Sequence, residues 1–189
     1  MNDETATLEL LRARLAEAAA AEGSLDVAYR TLDTPLGSLL LAATPAGLLR
    51  VAYASEGHDA VLAALAARVS PRVLRAPARL DDVARQLDDY FARRRRSFEV
   101  PLDMQLARGF RRDVLDQLRT IGYGRTASYT TVAAAAGRPR AVRAAATACA
   151  TNPLPIVIPC HRVVRSDGSL GRYLGGAAAK QTLLSLEAA

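Results

Sequence analysis

Cys160 is followed directly by His161, at the end of an apolar approach that reads Asn152-Pro153-Leu154-Pro155-Ile156-Val157-Ile158-Pro159. Three prolines fix much of the backbone there, and an Ile-Val-Ile run wants burial. A thiol reacts as its thiolate, which a neighbouring base or positive field generates. The pair therefore suggests a held nucleophile. Two other readings of the same residues are an inert core thiol and a metal ligand. The chain has two Cys and two His, and His58 lies in the other half, so a metal site of ordinary composition is not expected. The second thiol, Cys149, sits among alanines and reads as a small core hydrophobe.

These residues need a frame. Thr130 to Ala136 reads as a short helix, with Ser128 or Thr130 as N-cap and Gly137 as its stop. Arg138-Pro139-Arg140 makes a turn, and Ala141 to Thr151 makes a second helix, which is the helix-turn-helix pattern. That second helix is built almost wholly of small side chains, with one long cation, Arg143, near its start. A major-groove reader usually carries several long polar side chains. A small-residue helix suits close backbone approach to a groove, or burial against a neighbour. Upstream, Ala107 to Ile121 carries Phe110, Val114, Leu115 and Leu118 on one helical face, and Gly122-Tyr123-Gly124 breaks it.

The first half reads differently. Thr5 to Glu22 is a helix with Leu8, Leu11 and Leu15 at helical spacing, an addition that packs on the body or on a partner. Asp26 to Leu32, Gly37 to Thr44 and Gly47 to Tyr53 are strands, expected as a small antiparallel meander. Ala60 to Val69 and Leu80 to Arg94 are helical, and Arg93 to Arg96 place cations at a helix C-terminus. These cations read as solvated or as phosphate contacts. Ser97 to Asp103, with Pro101, is an extended crossover. The expected organisation is a helical extension over 1–23, an α/β domain over 24–103 and a DNA-binding and catalytic domain over 104–189. The fold class is α+β: a small antiparallel sheet domain, then a mainly helical domain of winged-helix or helix-turn-helix kind.

The 189 residues suit one or two domains, and a hydrophobic share of 50% suits a buried core. No apolar run approaches a membrane span, and the acidic start lacks the apolar stretch of a secretory signal. Two Cys build no disulfide framework, which points to the cytoplasm. The net charge is +6, unevenly placed: Gln105 to Ala189 holds 12 basic and 4 acidic residues, while Met1 to Met104 is slightly acidic. A basic second half suggests a polyanion, with GC-rich coding as the bland source of so many arginines. Lys180 is the only Lys.

Pro159-Cys160-His161-Arg162-Val163, with Asn152-Pro153 before it and Gly171-Arg172-Tyr173-Leu174-Gly175-Gly176 after it, resembles the O6-alkylguanine-DNA alkyltransferase family. The resemblance runs from about Phe110 to Glu187, without gaps from Ser128 onward, and takes in Ser128-Tyr129, Ala136-Gly137, Arg143-Ala144, Lys180 and Glu187. Asp33-Thr34-Pro35-Leu36-Gly37-Ser38-Leu39 more weakly resembles the family's N-terminal domain, which has a ribonuclease-H-like fold. The helix over Thr5 to Glu22 has no counterpart in the family pattern.

The resemblance implies single-turnover repair of O6-alkylguanine, and of O4-alkylthymine, in double-stranded DNA bound through its minor groove, the damaged base being flipped out. It implies a residue for each task. Cys160 takes the alkyl group, Glu187 orients His161, and His161 takes the thiol proton through a water. Tyr129 supplies a proton or hydrogen bond to guanine N3. Arg143 fills the gap in the stack, with Ala144, Thr130 and Arg140 on the same DNA-facing surface. Asn152 is a hinge. Val163, Tyr173, Leu174 and Gly175 form the substrate pocket, where Leu174 stands in place of a commonly smaller or polar residue. Arg162 has two readings, structural polar contacts that brace the domain interface or a contact with substrate. Lys180 is either a cation near the pocket or a surface charge. No cofactor is implied, and the protein is expected as a monomer that joins the nucleoid when on DNA. The alternative within the same resemblance is a non-catalytic protein that recognises alkylated bases; it would lack the thiol that Cys160 provides. A sequence-specific regulator finds little on the small-residue helix to read an operator, and a thiol hydrolase leaves Arg143 unexplained.

Overall fold

The computed structural model describes residues 3–188, and the side chains of these except residues 3–6, 9, 13 and 20. Contacts divide the chain into two compact units, Met1–Leu87 with Val100–Asp103, and Asp88–Glu99 with Met104–Ala189. This grouping differs from a single cut after Asp103, and the physical reason appears at the active site.

The first unit contains α1 (Asp3–Ala21), β1 (Val27–Thr34), β2 (Gly37–Thr44), β3 (Gly47–Tyr53), α2 (His58–Arg68) and β4 (Val73–Arg75), and it takes the start of α3 (Asp81–Phe91). The sheet order is β3-β2-β1-β4. In β2, Leu39, Leu40, Leu41 and Ala42 are all fully buried, which is why that strand is a continuous apolar run and lies in the middle. The pairs β1–β2 and β2–β3 are antiparallel, as the alternation and the two tight turns require. The expected antiparallel meander is thus present, and a fourth strand extends it: β4 pairs with β1 in parallel, Val27 opposite Val73. A parallel partner needs a crossover, and α2 supplies it. Three residues after Pro71 show no periodicity, so the strand was not legible.

Along α1, Ala16 and Ala19 pack with Leu25, Ala28 and Ala76. Leu8, Leu10, Leu11 and Leu15 are about half exposed. The leucine stripe is thus not the face that packs on the body. Small side chains let the helix approach β4 closely.

The second unit takes the end of α3 and contains α4 (Phe110–Leu118), β5 (Ala127–Ser128), α5 (Tyr129–Ala135), α6 (Val142–Ala150), β6 (Val163–Val164) and α7 (Gly176–Glu187). Val114, Leu115 and Leu118 of α4 face Val132 and Ala133 of α5 and Ala145, Ala148 and Cys149 of α6 in one buried set. Ser128 caps α5, its Oγ accepting from the Thr131 amide at 3.0 Å. Gly137 ends α5 with φ +78°, a conformation that L side chains rarely adopt. The Arg111 guanidinium donates to the Thr151 carbonyl, tying α4 to the end of α6. The strands β5 and β6 pair in parallel, Ala127 opposite Val163 and Ser128 opposite Val164. That short pairing brings the start of α5, where Tyr129 sits, beside the chain that leaves Cys160.

Candidate active site

Cys160, His161 and Arg162 form a single buried 3-10 turn between the proline-rich approach and β6. The approach is held by its own asparagine. Asn152 is fully buried; its Oδ1 accepts from the Leu154 amide at 3.0 Å, and its Nδ2 donates to the Ile158 carbonyl at 2.8 Å and to Cys160 Sγ at 3.2 Å. The residue read as a hinge therefore also contacts the thiol. Ile156, buried in the middle of this loop, has φ +73°. A β-branched residue there carries strain of about 1–3 kcal/mol, sustained by the surrounding hydrogen bonds.

Burial raises the Cys160 thiol to about 11, against the lowering effects of the Asn152 hydrogen bond and the Lys180 charge. At neutral pH the group is a thiol, and it needs a base. Cys149 is pushed up further, first by burial and then by Cys160, which suits an inert packing role.

His161 is entirely buried. Its Nε2 lies 2.9 Å from Glu187 Oε1. With Glu187 ionised, Nε2 carries the proton, and Nδ1 is left as the basic nitrogen. Nδ1 has no hydrogen-bond partner among the described residues. Burial lowers the imidazole's pKa, Glu187 opposes this, and the charges of Arg162 and Lys180 add to the lowering.

Glu187, from the last turn of α7, is the hub. Oε1 accepts from Tyr90 Oη at 2.7 Å, from His161 Nε2 and from Arg162 at 2.8 Å. Oε2 accepts from Arg162 Nε at 2.8 Å and from the Gly124 amide at 3.1 Å. Burial alone would raise the carboxyl pKa, but the hydrogen bonds from His161, Arg162 and Tyr90 hold it far below the usual carboxylate range. Arg162 also donates to the Ile121 carbonyl at 2.5 Å. All these partners belong to the second unit, so Arg162 braces the interior of that unit. The contacts of Tyr90 with Glu187 and Tyr123 are among those that tie Asp88–Glu99 to it.

Tyr129 is buried, and its phenol is raised to about 12, mainly by burial and then by Cys149 and Cys160, with Arg165 opposing. A Cβ on Gly171 would collide with its ring and hydroxyl, so any side chain there must displace the ring. Lys180 is completely buried, which excludes a solvated surface charge. Its Nζ donates to the Val163 carbonyl at 2.5 Å and lies 5.9 Å from the Tyr129 ring centre. Its pKa is lowered by burial, partly offset by the two thiols. Val163 and Tyr173 are buried, Tyr173 edge-on to His161 at 6.4 Å between ring centres. Leu174 and Gly175 are half-buried before α7. Arg143, Ala144, Thr130 and Arg140 lie apart from this cluster, all exposed on α6, α5 and the turn between them. Among the described residues no group of three or more His, Cys, Asp or Glu could hold a metal ion.

Sequence reasoning missed Tyr90, the Gly124 amide and the Asn152 contact to sulfur. The only signal for Tyr90 was its place on the apolar face of α3, in line with Val83 and Leu87.

Residues 27–104 match the family described as 6-O-methylguanine DNA methyltransferase, ribonuclease-like domain, and residues 109–189 match the DNA binding domain of the same family. The chain is 36% identical over 161 residues to the methylated-DNA–protein-cysteine methyltransferase of Mycolicibacterium paratuberculosis, spanning 85% of this chain and 92% of that one. It is 39% identical over 167 residues to the bifunctional transcriptional activator/DNA repair enzyme Ada of Escherichia coli, spanning 87% of this chain but only 46% of that protein. Among solved structures, Mycobacterium tuberculosis OGT in complex with DNA superposes with a TM-score of 0.73 at 35% identity, covering 85% of this chain and 92% of that one.

Proposed function

Because the chain belongs to the 6-O-methylguanine DNA methyltransferase family, we propose that it repairs alkylated DNA directly, moving the alkyl group from guanine O6 to Cys160. The observation that carries this reading is a pair of contacts: Asn152 holds the Cys160 thiol, and Glu187 fixes the next residue, His161, through Nε2, which leaves Nδ1 as its basic nitrogen.

The duplex docks its minor groove on the exposed face of α6, with Thr130, Arg140 and Ala144 against the backbone. Small side chains allow that approach. The damaged base leaves the stack, and Arg143 fills its place. Unstacking costs a few kcal/mol, less for a lesion that pairs badly. The flipped base enters a pocket walled by Val163, Tyr173, Leu174 and Gly175. His161 Nδ1 takes the thiol proton through a water. Sγ then attacks the alkyl carbon in line; the S–C bond forms as the C–O6 bond breaks, and the electron pair goes to the purine. Tyr129 donates to guanine N3, so the base does not leave as a bare anion. The Cys160 thioether is a poor leaving group, and the protein acts once. O4-alkylthymine presents the same alkyl–oxygen bond and is a second substrate. The protein works as a monomer in the cytoplasm, on the nucleoid when bound.

The test is stoichiometry on DNA. A duplex with one O6-methylguanine is incubated with limiting protein, then digested and quantified as nucleosides. One guanine restored per protein, with no later turnover, is expected. Continued turnover, or no guanine, would contradict the reading.

A further inference from the structure

We propose that Tyr90 is a positioning residue for alkyl transfer, its hydroxyl locking the Glu187 oxygen that orients His161. The inference rests on Cys160 as alkyl acceptor and extends that site by one residue. Tyr90 comes from the end of α3, far from Cys160 in sequence, and is fully buried. Its Oη donates at 2.7 Å to Glu187 Oε1, the atom that also accepts from His161 Nε2 at 2.9 Å. Its ring is fixed by Phe91 edge-on at 5.4 Å, Phe98 at 5.3 Å and Tyr123 edge-on at 6.2 Å. The phenol therefore has one orientation.

The geometry gives that orientation a use. Arg162 grips Glu187 through Nε on one oxygen and its terminal amine on the other. This fork alone would allow the carboxylate to shift about the guanidinium axis and carry His161 with it. Tyr90 fixes Oε1 and the Gly124 amide fixes Oε2, so that both oxygens are held from outside the fork. A carboxylate has about four acceptor positions, and five donors converge on this one. A fixed, ionised Oε1 keeps the imidazole in its Nε2–H tautomer, with Nδ1 basic. Tyr90 touches neither substrate nor thiol; it acts through Glu187. Its own ionisation is disfavoured by burial and by the Glu187 charge, so it remains a donor across the working pH range.

The experiment uses the full chain with Tyr90→Phe, which keeps the ring packing and removes only the hydroxyl. Tyr123→Phe is the reference, since it deletes another phenol of the same aromatic cluster, one bonded to the Leu186 carbonyl. Single-turnover transfer from an O6-methylguanine duplex is timed, and the ring nitrogens of His161 are read by nitrogen-15 NMR, with His58→Gln removing the other histidine. Tyr90→Phe is expected to slow transfer roughly tenfold, the worth of a hydrogen bond to a charged acceptor. It should also move the His161 nitrogen shifts from one tautomer toward a mixture, with duplex affinity unchanged. Tyr123→Phe should do neither. Wild-type rate and unchanged His161 shifts in Tyr90→Phe would overturn the proposal, as would equal losses in both variants. The wild-type spectrum gives a second reading should Tyr90→Phe fail to fold. A slowly exchanging Tyr90 hydroxyl proton with a cross-peak to the His161 Nε2 proton is expected, and its absence overturns the proposal. A wild type that transfers no alkyl group would instead remove the reading of Cys160, while the spectra would still decide the Tyr90 contact.

Discussion

At the scale of single residues, the site joins a protonated thiol, Cys160, to a buried imidazole held by Glu187. Burial pushes the Cys160 thiol up to about 11, outweighing the Asn152 hydrogen bond and the Lys180 charge. Its labelling by a small alkyl iodide, followed by peptide mass, should therefore climb from about pH 7 to about pH 10 without a plateau. A plateau near neutrality would show a resting thiolate and contradict this. Glu187 gives a stability prediction with a definite sign. Its folded pKa is depressed, so its contribution is present above the ordinary value of 4.5 and is lost as pH falls below it. Urea denaturation should show the gap between wild type and Glu187→Gln narrowing as pH drops from neutral to below 4.5. A pH-independent gap would mean that the carboxylate's charge contributes nothing. Much of this residue layer was legible. Cys160, His161 and Glu187 stood in a recognisable pattern, and the structure brings His161 and Glu187 together. Tyr90 was not legible, because a buried aromatic on an amphipathic helix looks like core whether or not its hydroxyl has a partner.

At the scale of elements, the two-residue pairing of β5 with β6 places Tyr129 and Cys160 near each other, and Gly171 presses against the Tyr129 ring. Gly171→Ala should push that ring away. We expect alkyl transfer to fall by at least tenfold, with the melting temperature changing by only a few degrees, since the strain lies in one loop. Full activity would show that Tyr129 is not held there for chemistry. The long strands and the helices other than α7 were legible from periodicity and breaking residues, with ends within a few residues, whereas α7 was not read as a helix. β4, β5 and β6 were not, because two or three residues carry no period and their pairing is decided by tertiary contact. The leucine stripe of α1 marks a face, but tertiary packing uses Ala16 and Ala19 instead.

At the scale of the molecule, the basic charge lies in the second half, where a polyanion is attracted. The basic residues of the second half include exposed Arg138, Arg140 and Arg143 around the helix-turn-helix. Duplex affinity should fall linearly on a log–log plot against salt, with a slope of several units, one for each phosphate neutralised. Arg140→Ala should reduce that slope by about one. A flat dependence would remove the polyanion reading. The charge balance changes close to where the chain divides, but the membership of residues 88–99 was not legible in composition, since tertiary contact decides it.

The central claim is that Cys160 keeps the alkyl group. The direct measurement is intact and peptide mass after mixing the protein with a duplex carrying O6-methylguanine, beside a Cys160→Ser control. One methyl group gained per chain, on the Cys160 peptide and absent from the control, is the expected result. An unchanged mass with the lesion still bound would contradict it and leave a protein that recognises alkylated bases without repairing them.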